Sequence, residues 1–296
     1  MYQKKTRKNT LRFCIAFILV SLFLTSQAQR QLWTVGTAYT LGSKDMRVSL
    51  FQPSAYALTH CFELQVQPFA FAVAPNLAIK KQWVEKKNFA IATKHGVVYP
   101  SILLQKLSDA EVFSELSESD LIPGILHFKN ELLFSLSWGK VLCSSYTSTE
   151  FDRKNTFKGP TRILTFKLGV QNGTQFGEGE LPAIEEKYIF HHTYPYHGVF
   201  MYNFGLDFDA RLSKYFDYCI DFDYLMLEGN HHVVEHKTLF NWWVGRKFFH
   251  VAAGYQISYG EYLDEENKFF VGPVIDLMWT MHRNRMDLGL FGKKMF

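Results

Sequence analysis

Long stretches in which apolar and polar residues strictly alternate constrain the fold more than any other feature of this sequence. In Phe216–Met226 (FDYCIDFDYLM) every second residue is apolar, and aspartates and a cysteine fill most positions between them. Gly198–Ala210 and Phe249–Gly260 show the same alternation. A repeat of two residues is that of a β-strand, whose successive side chains point to opposite faces. These segments therefore predict strands with one apolar, aromatic surface and one polar surface.

The length of these strands indicates which surface faces water. The three segments run for about 11–13 residues, whereas strands in soluble proteins average about 5–6 and a tilted transmembrane strand needs about 9–11. Their polar faces carry small and amide residues and aspartate, with few of the Lys and Glu residues of a solvent-facing sheet. We therefore expect an all-β transmembrane barrel. A soluble, secreted ligand-binding barrel with the apolar surface inside would show the same alternation and stays an alternative.

Ten further segments show the alternation with more noise. They are Leu32–Tyr39, Arg47–Pro53, Phe62–Gln67, Val73–Trp83, Phe89–Val97, Leu132–Trp138, Thr161–Gln171, Thr238–Gly245, Lys268–Trp279 and the residues after Arg285. With the first three they make about 13 segments. Because single-chain bacterial membrane barrels have an even number of strands, we predict about 12, within a range of roughly 10–14.

The turns between these segments allow a test of antiparallel pairing, because residues opposite each other across a hairpin must share a face. Like faces stay together in three pairs: Val244 with Phe249, Asp209 with Asp217, and Trp279 with Met286. The sequence thus predicts an up-and-down antiparallel meander. Short turns alternate with longer polar connections, as in barrels with turns on one side of the membrane and loops on the other. That assignment sends the strand after Arg285 to the loop side, where such barrels rarely end.

The beginning of the chain predicts export. Residues 1–28 combine five basic side chains, no acidic one, an apolar run from Phe13 to Leu24 and the small residues of Ser26-Gln27-Ala28. This is the pattern of a cleaved signal peptide, and about 12 apolar residues are too few for a transmembrane helix. Removing this leader reduces the 32 basic residues to 27 against 28 acidic ones. The remaining 29–296 barrel domain is nearly neutral, and nothing suggests a nucleic-acid partner.

Motifs for catalysis or for a resident metal are not evident. The mature chain keeps Cys61, Cys143 and Cys219, without the paired spacing of a zinc site. Two histidine-rich stretches, HHTYPYH and HHVVEH, do not form a site alone because adjacent side chains on an extended chain point apart. His250 and Ser258 share a face, but eight residues of strand separate them by about 26 Å. We therefore predict no enzyme, no metal and no cofactor, with a lipid-active membrane enzyme as an alternative.

The turns and the chain end also resemble a known class. The leader, the alternating strands around turns such as YALTHCFELQV, ARLSKYFDYCIDF and GRKFFHVAAGY, and the terminal Phe296 resemble Gram-negative outer-membrane β-barrel proteins. Lys293 and Lys294 interrupt the alternation just before Phe296 and depart from the pattern of that class. The resemblance implies an outer-membrane location, contact with outer-membrane lipid and recognition by the barrel-assembly machinery. Its functional expectation is a passive barrel, either a narrow pore or a structural, surface-loop protein; the oligomeric state stays open.

The alternation assigns individual residues to the two surfaces. The candidates for the lumen are Asp207, Asp209, Asp217, Asp221, Asp223, Lys167, His250, Gln256 and Ser258. The candidates for the lipid-facing surface are Phe200, Tyr202, Phe204, Phe208, Phe216, Tyr218, Phe222, Phe249, Val251, Tyr255, Ile257 and Tyr259. The five aspartates could attract cations at a constriction, or they could form a hydrated network balanced by Lys167 and other cations. We expect the second arrangement.

Overall fold

The computed structural model describes residues 36–86, 88–110, 122–138, 162–179, 181, 190–212, 216–228, 231–244, 249–261 and 267–281. They form a closed barrel of 12 antiparallel strands in up-and-down order, as predicted. The strands are β1 (Met46–Ser49), β2 (Ser54–Ala57), β3 (Phe62–Val66), β4 (Asn76–Lys86), β5 (Phe89–Val98), β6 (Gly124–Trp138), β7 (Arg162–Phe176), β8 (Met201–Arg211), β9 (Phe216–Leu227), β10 (His232–Val244), β11 (Phe249–Glu261) and β12 (Asn267–Met281). The predicted leader, residues 1–28, and the segment after Arg285 lie outside the described residues.

Short helices lie in three connections at one end of the barrel, which we call the helical end. They are α1 (Pro68–Phe71), α2 (Ser101–Asp109), α3 (Phe190–Thr193) and a 3₁₀-helix (Tyr194–His197). The opposite, terminal end holds the start of β1, the end of β12 and the tight β4–β5, β8–β9 and β10–β11 turns. β6 ends and β7 begins at this same end, and residues 139–161 between them lie outside the described part. Among the described helices, none has both the length and the apolar character needed to cross a bilayer.

The closing strand pair lies between β1 and β12, and the start of the chain departs from its predicted course. β12 pairs with β1, Val48 opposite Trp279, as well as with β11. The described strands therefore close the barrel, and the strand predicted after Arg285 lies outside the described residues. At the other end, the described residues of Leu32–Tyr39 are bends and coil, not a strand. The barrel reaches 12 strands because the short β2, which the alternation missed, follows β1 directly.

The register of the hairpins agrees with the predicted pairing in one case and differs in another. Val244 lies opposite Phe249, as expected. Asp217 lies opposite Arg211, however, and not opposite Asp209. The turn between β8 and β9 is tight, because the Leu212 amide donates to the Phe216 carbonyl at 3.1 Å. This slip of two residues leaves every side chain on its predicted face.

The barrel is polar inside and apolar outside. Burial alternates along β9 so that Asp217, Asp221 and Asp223 are enclosed while Phe222 is exposed. The same division runs through β8, β10 and β11. A lipocalin-like ligand barrel needs the opposite arrangement, with its apolar surface around the lumen. The structure therefore contradicts that alternative.

Candidate functional site

The residues that the alternation assigned to the lumen all lie inside the barrel. Each is at least nine-tenths buried: Lys167, Asp207, Asp209, Asp217, Asp221, Asp223, His250, Gln256 and Ser258. The residues assigned to the other surface all point outward and are half-buried or exposed: Phe200, Tyr202, Phe204, Phe208, Phe216, Tyr218, Phe222, Phe249, Val251, Tyr255, Ile257 and Tyr259. Of these, Phe200 precedes β8 and lies in the connection at the helical end.

Lys167 brings three of the predicted aspartates together at the middle of the lumen. Its Nζ lies 2.7 Å from Asp207, 2.6 Å from Asp221 and 2.9 Å from Asp223. We call these four residues the aspartate cluster. All are almost completely enclosed, and a buried carboxylate is stable only when it is paired and hydrogen-bonded. One further lumen cation lies near, because the Lys237 ammonium is 3.9 Å from Asp221.

Gly205 allows Lys167 to reach across a strand. Lys167 on β7 is the register partner of Gly205 on β8, and Gly205 is the partner of Asp223 on β9. A Cβ at position 205 would overlap both the Lys167 Cε and a carboxylate oxygen of Asp223. The missing side chain thus leaves the passage through which an ammonium on one strand contacts an acid two strands away.

Replacing Gly205 with alanine should therefore destabilise the barrel. We expect the free energy of unfolding to fall by about 1–3 kcal/mol, the usual effect of inserting a methyl group into a packed interior. Urea unfolding of the refolded protein in detergent micelles measures this change. Gly96→Ala is the matched control on the inner face of β5, because its Cβ would meet Ala78 at an ordinary 3.5 Å. Equal losses for the two variants would contradict the role of Gly205.

The remaining predicted acids lie nearer the terminal end. Asp217 accepts hydrogen bonds from Asn241 and, at 2.7 Å, from the indole Nε1 of Trp243. The Arg211 guanidinium lies 3.9 Å from Asp217. Sequence reasoning placed these acids on the lumen face but could not identify the arginine, amide and indole groups that pair with them, because those groups come from β8 and β10.

Several ion pairs in the lumen were not predicted. Lys80 on β4 lies 3.3 Å from Glu63 on β3, and both are enclosed. Lys94 and Lys129 share Glu131, each at 3.2 Å. Apolar and polar residues alternate less regularly in β3–β6 than in β8–β11. The sequence therefore did not show whether these residues face the lumen or the outer surface. Their charges show that the ionic lining runs around the whole barrel wall.

A short segment before β1 fills the lumen toward the terminal end. This lumen segment, Thr37–Leu41, is held through its backbone: the Lys80 ammonium donates to the Tyr39 carbonyl at 2.7 Å, and the Ala38 amide donates to Ser135 Oγ at 2.7 Å. The Leu41 amide donates to Glu63 at 2.9 Å. Buried backbone groups need such partners, and here the barrel wall supplies them. The segment was predicted as a strand because its alternation cannot distinguish a wall strand from a peptide enclosed by the wall.

Apolar contacts also hold this segment against the barrel wall. Ala38 and Tyr39 pack with small and branched residues of β5, β6 and β7 to form one buried cluster, whose other members are Ala90, Ala92, Leu133 and Ile163. The Tyr39 hydroxyl lies 2.7 Å from Ser137 Oγ. Ala38 and Tyr39 therefore lie inside the barrel, packed against its wall.

The two histidine-rich stretches meet at the helical end. His192 lies 3.3 Å from Glu235, which also accepts a hydrogen bond from Gln256 at 3.0 Å. In the described part of the chain, no group of three or more His, Cys, Asp and Glu residues is placed to hold a metal ion. Cys61 and Cys219 form no disulfide bond among the described residues, and Cys143 lies outside them. His250, the catalytic candidate that the sequence argument rejected, lies 3.4 Å from Thr280 Oγ1.

The outer surface of β8–β12 is apolar and uncharged. Among the described side chains of these strands, no outward-facing position carries Asp, Glu, Lys or Arg. Aromatic pairs cover the strand ends at the terminal end, including Phe216 with Trp242 at 5.3 Å and Phe249 with Trp279 at 5.0 Å between ring centroids. A belt of this kind with aromatic rings at its edge suits contact with a bilayer.

Comparison with solved structures finds bacterial outer-membrane β-barrels. The chain is 8% identical to the outer-membrane protein OmpT of Vibrio cholerae, with a TM-score of 0.39, over 79% of this chain and 64% of OmpT. An outer-membrane channel from Pseudomonas putida F1 gives 8% identity and a TM-score of 0.38, over 83% and 98% of the two chains. The outer-membrane channel DcaP of Acinetobacter baumannii gives 7% and 0.37, over 87% and 68%.

These similarities concern the barrel architecture alone. The chain spans about two thirds of the length of OmpT. No protein-family model matches the sequence, and no curated protein matches it.

Proposed function

We propose that this protein is a β-barrel of the bacterial outer membrane whose lumen is closed, so that it acts as a structural or surface-loop barrel and not as an open pore. The observation that carries the proposal is the occupied lumen, in which the lumen segment and the aspartate cluster both lie buried inside the barrel. Side chains fill the interior of barrels of about 8 strands, and barrels of about 16 strands leave a channel, so at 12 strands the groups inside the lumen decide whether it is open. Bilayer lipid is then the partner of the outer surface.

The outward belt supports the membrane location. Exposed apolar patches larger than a few hundred Å² are rare on soluble monomers, yet the outward faces of five consecutive strands carry Phe, Tyr, Trp, Leu, Ile and Val almost throughout. Lipid around this belt removes the apolar side chains from water, which is the usual driving force for their burial. Export by a cleaved leader and insertion by the barrel-assembly machinery belong to the same proposal. The absence of enzymatic activity stays a prediction.

Conductance measurements test whether the lumen is closed. In planar lipid bilayers we expect the wild-type protein to show no steady single-channel conductance, because the lumen segment and the aspartate cluster occupy the path of ions. Steady, ohmic steps from the wild-type protein would show an open pore and overturn the proposal.

A charge-balanced variant should open the path. Lys80 holds the lumen segment through the Thr37 and Tyr39 carbonyls and pairs with Glu63. The double variant Lys80→Met/Glu63→Gln removes the ammonium without leaving an unpaired acid, and we expect intermittent conductance as the segment detaches. The control is Lys81→Met, on the same strand but facing outward beside Trp83. Conductance from the control alone would contradict the role of the lumen segment.

A further inference from the structure

A cavity of about 220 Å³ lies inside the barrel at the helical end, above the aspartate cluster. Its walls are the inner faces of the strands from β3 to β10, and α1, α2 and the 3₁₀-helix bound it at the end of the barrel. Its wall includes Asp223 of the aspartate cluster but no residue of the lumen segment. Its volume corresponds to a molecule of the size of an amino acid or a small dipeptide.

Three buried polar atoms in the cavity wall lack a partner. In the part of the chain that the structure describes, Gln65 Oε1, His127 Nε2 and Asn203 Oδ1 make no hydrogen bond, although their side chains are more than nine-tenths buried. All three residues line the cavity. Native structures leave few buried polar atoms unsatisfied, because each costs the desolvation of the group. These atoms point to a polar ligand that completes their hydrogen bonding.

One wall of the cavity is cationic. Lys94 on β5 and Lys129 on β6 line it, and their shared acid Glu131 balances only one of the two positive charges. The excess charge faces the cavity. A carboxylate there would pair with both ammonium groups.

A different wall is anionic. Asp223 on β9 and Glu235 on β10 line the cavity. Asp223 pairs with Lys167 at 2.9 Å. Glu235 lies 3.3 Å from His192 and accepts a hydrogen bond from Gln256. Both carboxylates line the cavity, where an ammonium group would be stabilised by them.

The part of the cavity nearest α1 and α2 is apolar. Ala70, Ala74 and Leu103 line it and belong to one buried cluster. Beside them lies Tyr196, whose pKa is raised by burial, so its phenol stays neutral. The small alanine side chains leave room for an aliphatic group.

We infer that this cavity binds a small zwitterion with an aliphatic side chain, of the amino acid or dipeptide class. The ligand's carboxylate lies toward Lys94 and Lys129, its ammonium toward Asp223 and Glu235, and its aliphatic part against Ala70, Ala74 and Leu103. This site goes beyond the proposed function. It requires the barrel fold but not a closed lumen, so a conducting wild-type protein would leave it intact.

Isothermal titration of the full chain, refolded in detergent, tests the charges of the ligand separately. The probes are L-leucine, leucinamide, which lacks the carboxylate, and N-acetyl-leucine, which lacks the ammonium. We expect L-leucine to bind and each of the other two to bind at least about tenfold more weakly, the effect of losing a charged hydrogen bond. No saturable binding of leucine up to about 10 mM, or equal affinities for the three probes, would overturn the inference.

Variants at the two walls should give crossed effects. In Lys129→Gln we expect weaker binding of L-leucine and N-acetyl-leucine with leucinamide unchanged, and in Glu235→Gln weaker binding of L-leucine and leucinamide with N-acetyl-leucine unchanged. A variant that only loosened the fold would weaken all three probes. Lys81→Gln, outside the barrel, is the control and should leave each affinity unchanged. The absence of this crossed pattern would overturn the orientation of the ligand.

A third variant fills the cavity. Gly96 lines it, and a Cβ there would meet only ordinary contacts of 3.5 Å and more. We expect Gly96→Met to fold normally and to abolish leucine binding, because its side chain enters the cavity. Undiminished binding would place the ligand elsewhere.

Discussion

Replacing Lys167 with methionine is expected to destabilise the barrel more than any other single change proposed for this protein. Its ammonium lies within 2.9 Å of Asp207, Asp221 and Asp223. Without it, three carboxylates share one enclosed volume and cannot all stay ionised without mutual repulsion. Removing one partner from a buried ion pair costs about 3–5 kcal/mol. Urea unfolding in detergent micelles, followed by heat-modifiable gel migration, measures the loss.

Two further variants show whether this loss is specific to the aspartate cluster. Lys81→Met removes a lysine from the outer surface of β4, where the ammonium lies 3.6 Å from the Trp83 ring centroid, and should change the free energy of unfolding by less than about 1 kcal/mol. Adding Asp207→Asn and Asp223→Asn to Lys167→Met should restore much of the lost stability, because fewer charges then lack a partner. A Lys167→Met barrel as stable as the wild type would show that the cluster contributes nothing.

Replacing Leu206 with arginine is expected to cause the second large loss of stability, and this variant tests the membrane proposal. Leu206 is 42% exposed on the outer surface, near the middle of β8. A cationic side chain at the midplane of a bilayer costs a membrane barrel about 2–4 kcal/mol, falling to about 0–1 kcal/mol near the interface. We therefore expect Leu206→Arg to lower the free energy of unfolding in lipid vesicles by the larger amount.

The matched control is Val244→Arg at the end of β10, where the valine is 48% exposed. Arginine there can extend toward the headgroups, so its cost should be small. Leu206→Ala separates lost packing from added charge. If both arginine variants were as stable as the wild type in vesicles, the outer surface would not lie in lipid.

Alternation predicted the architecture well in the second half of the barrel. β9 and β11 begin within one residue of the expected positions, because long strands with aromatic outer faces repeat the period many times. A slip of two residues preserves that period, which is why the pairing of Asp217 was wrong while its face was right. Only the turn geometry at Leu212 distinguishes the two registers.

The first three strands were less predictable because they are only four or five residues long. β2 has four residues, Ser54–Ala57, too few for a period to emerge. The lumen segment was predicted as a wall strand because its residues alternate. Its enclosure by the barrel wall depends on tertiary structure, which alternation along one segment does not reveal. The partners of the aspartates, above all Lys167 reaching past Gly205, depend on neighbouring strands and could not be read from the order of residues along one strand.

The strand pair that closes the barrel, β1 with β12, is much shorter than its neighbouring pair. β11 and β12 form 13 register pairs, whereas β1 and β12 form four. Asp276 on β12 stabilises this short pairing, because it accepts hydrogen bonds from Ser49 Oγ at 2.6 Å and from the Phe51 amide at 3.0 Å. More than 220 residues of chain separate Asp276 from these two donors. Because bringing such distant segments together carries the largest loop-closure entropy, we expect the joint between β1 and β12 to form last as the barrel folds.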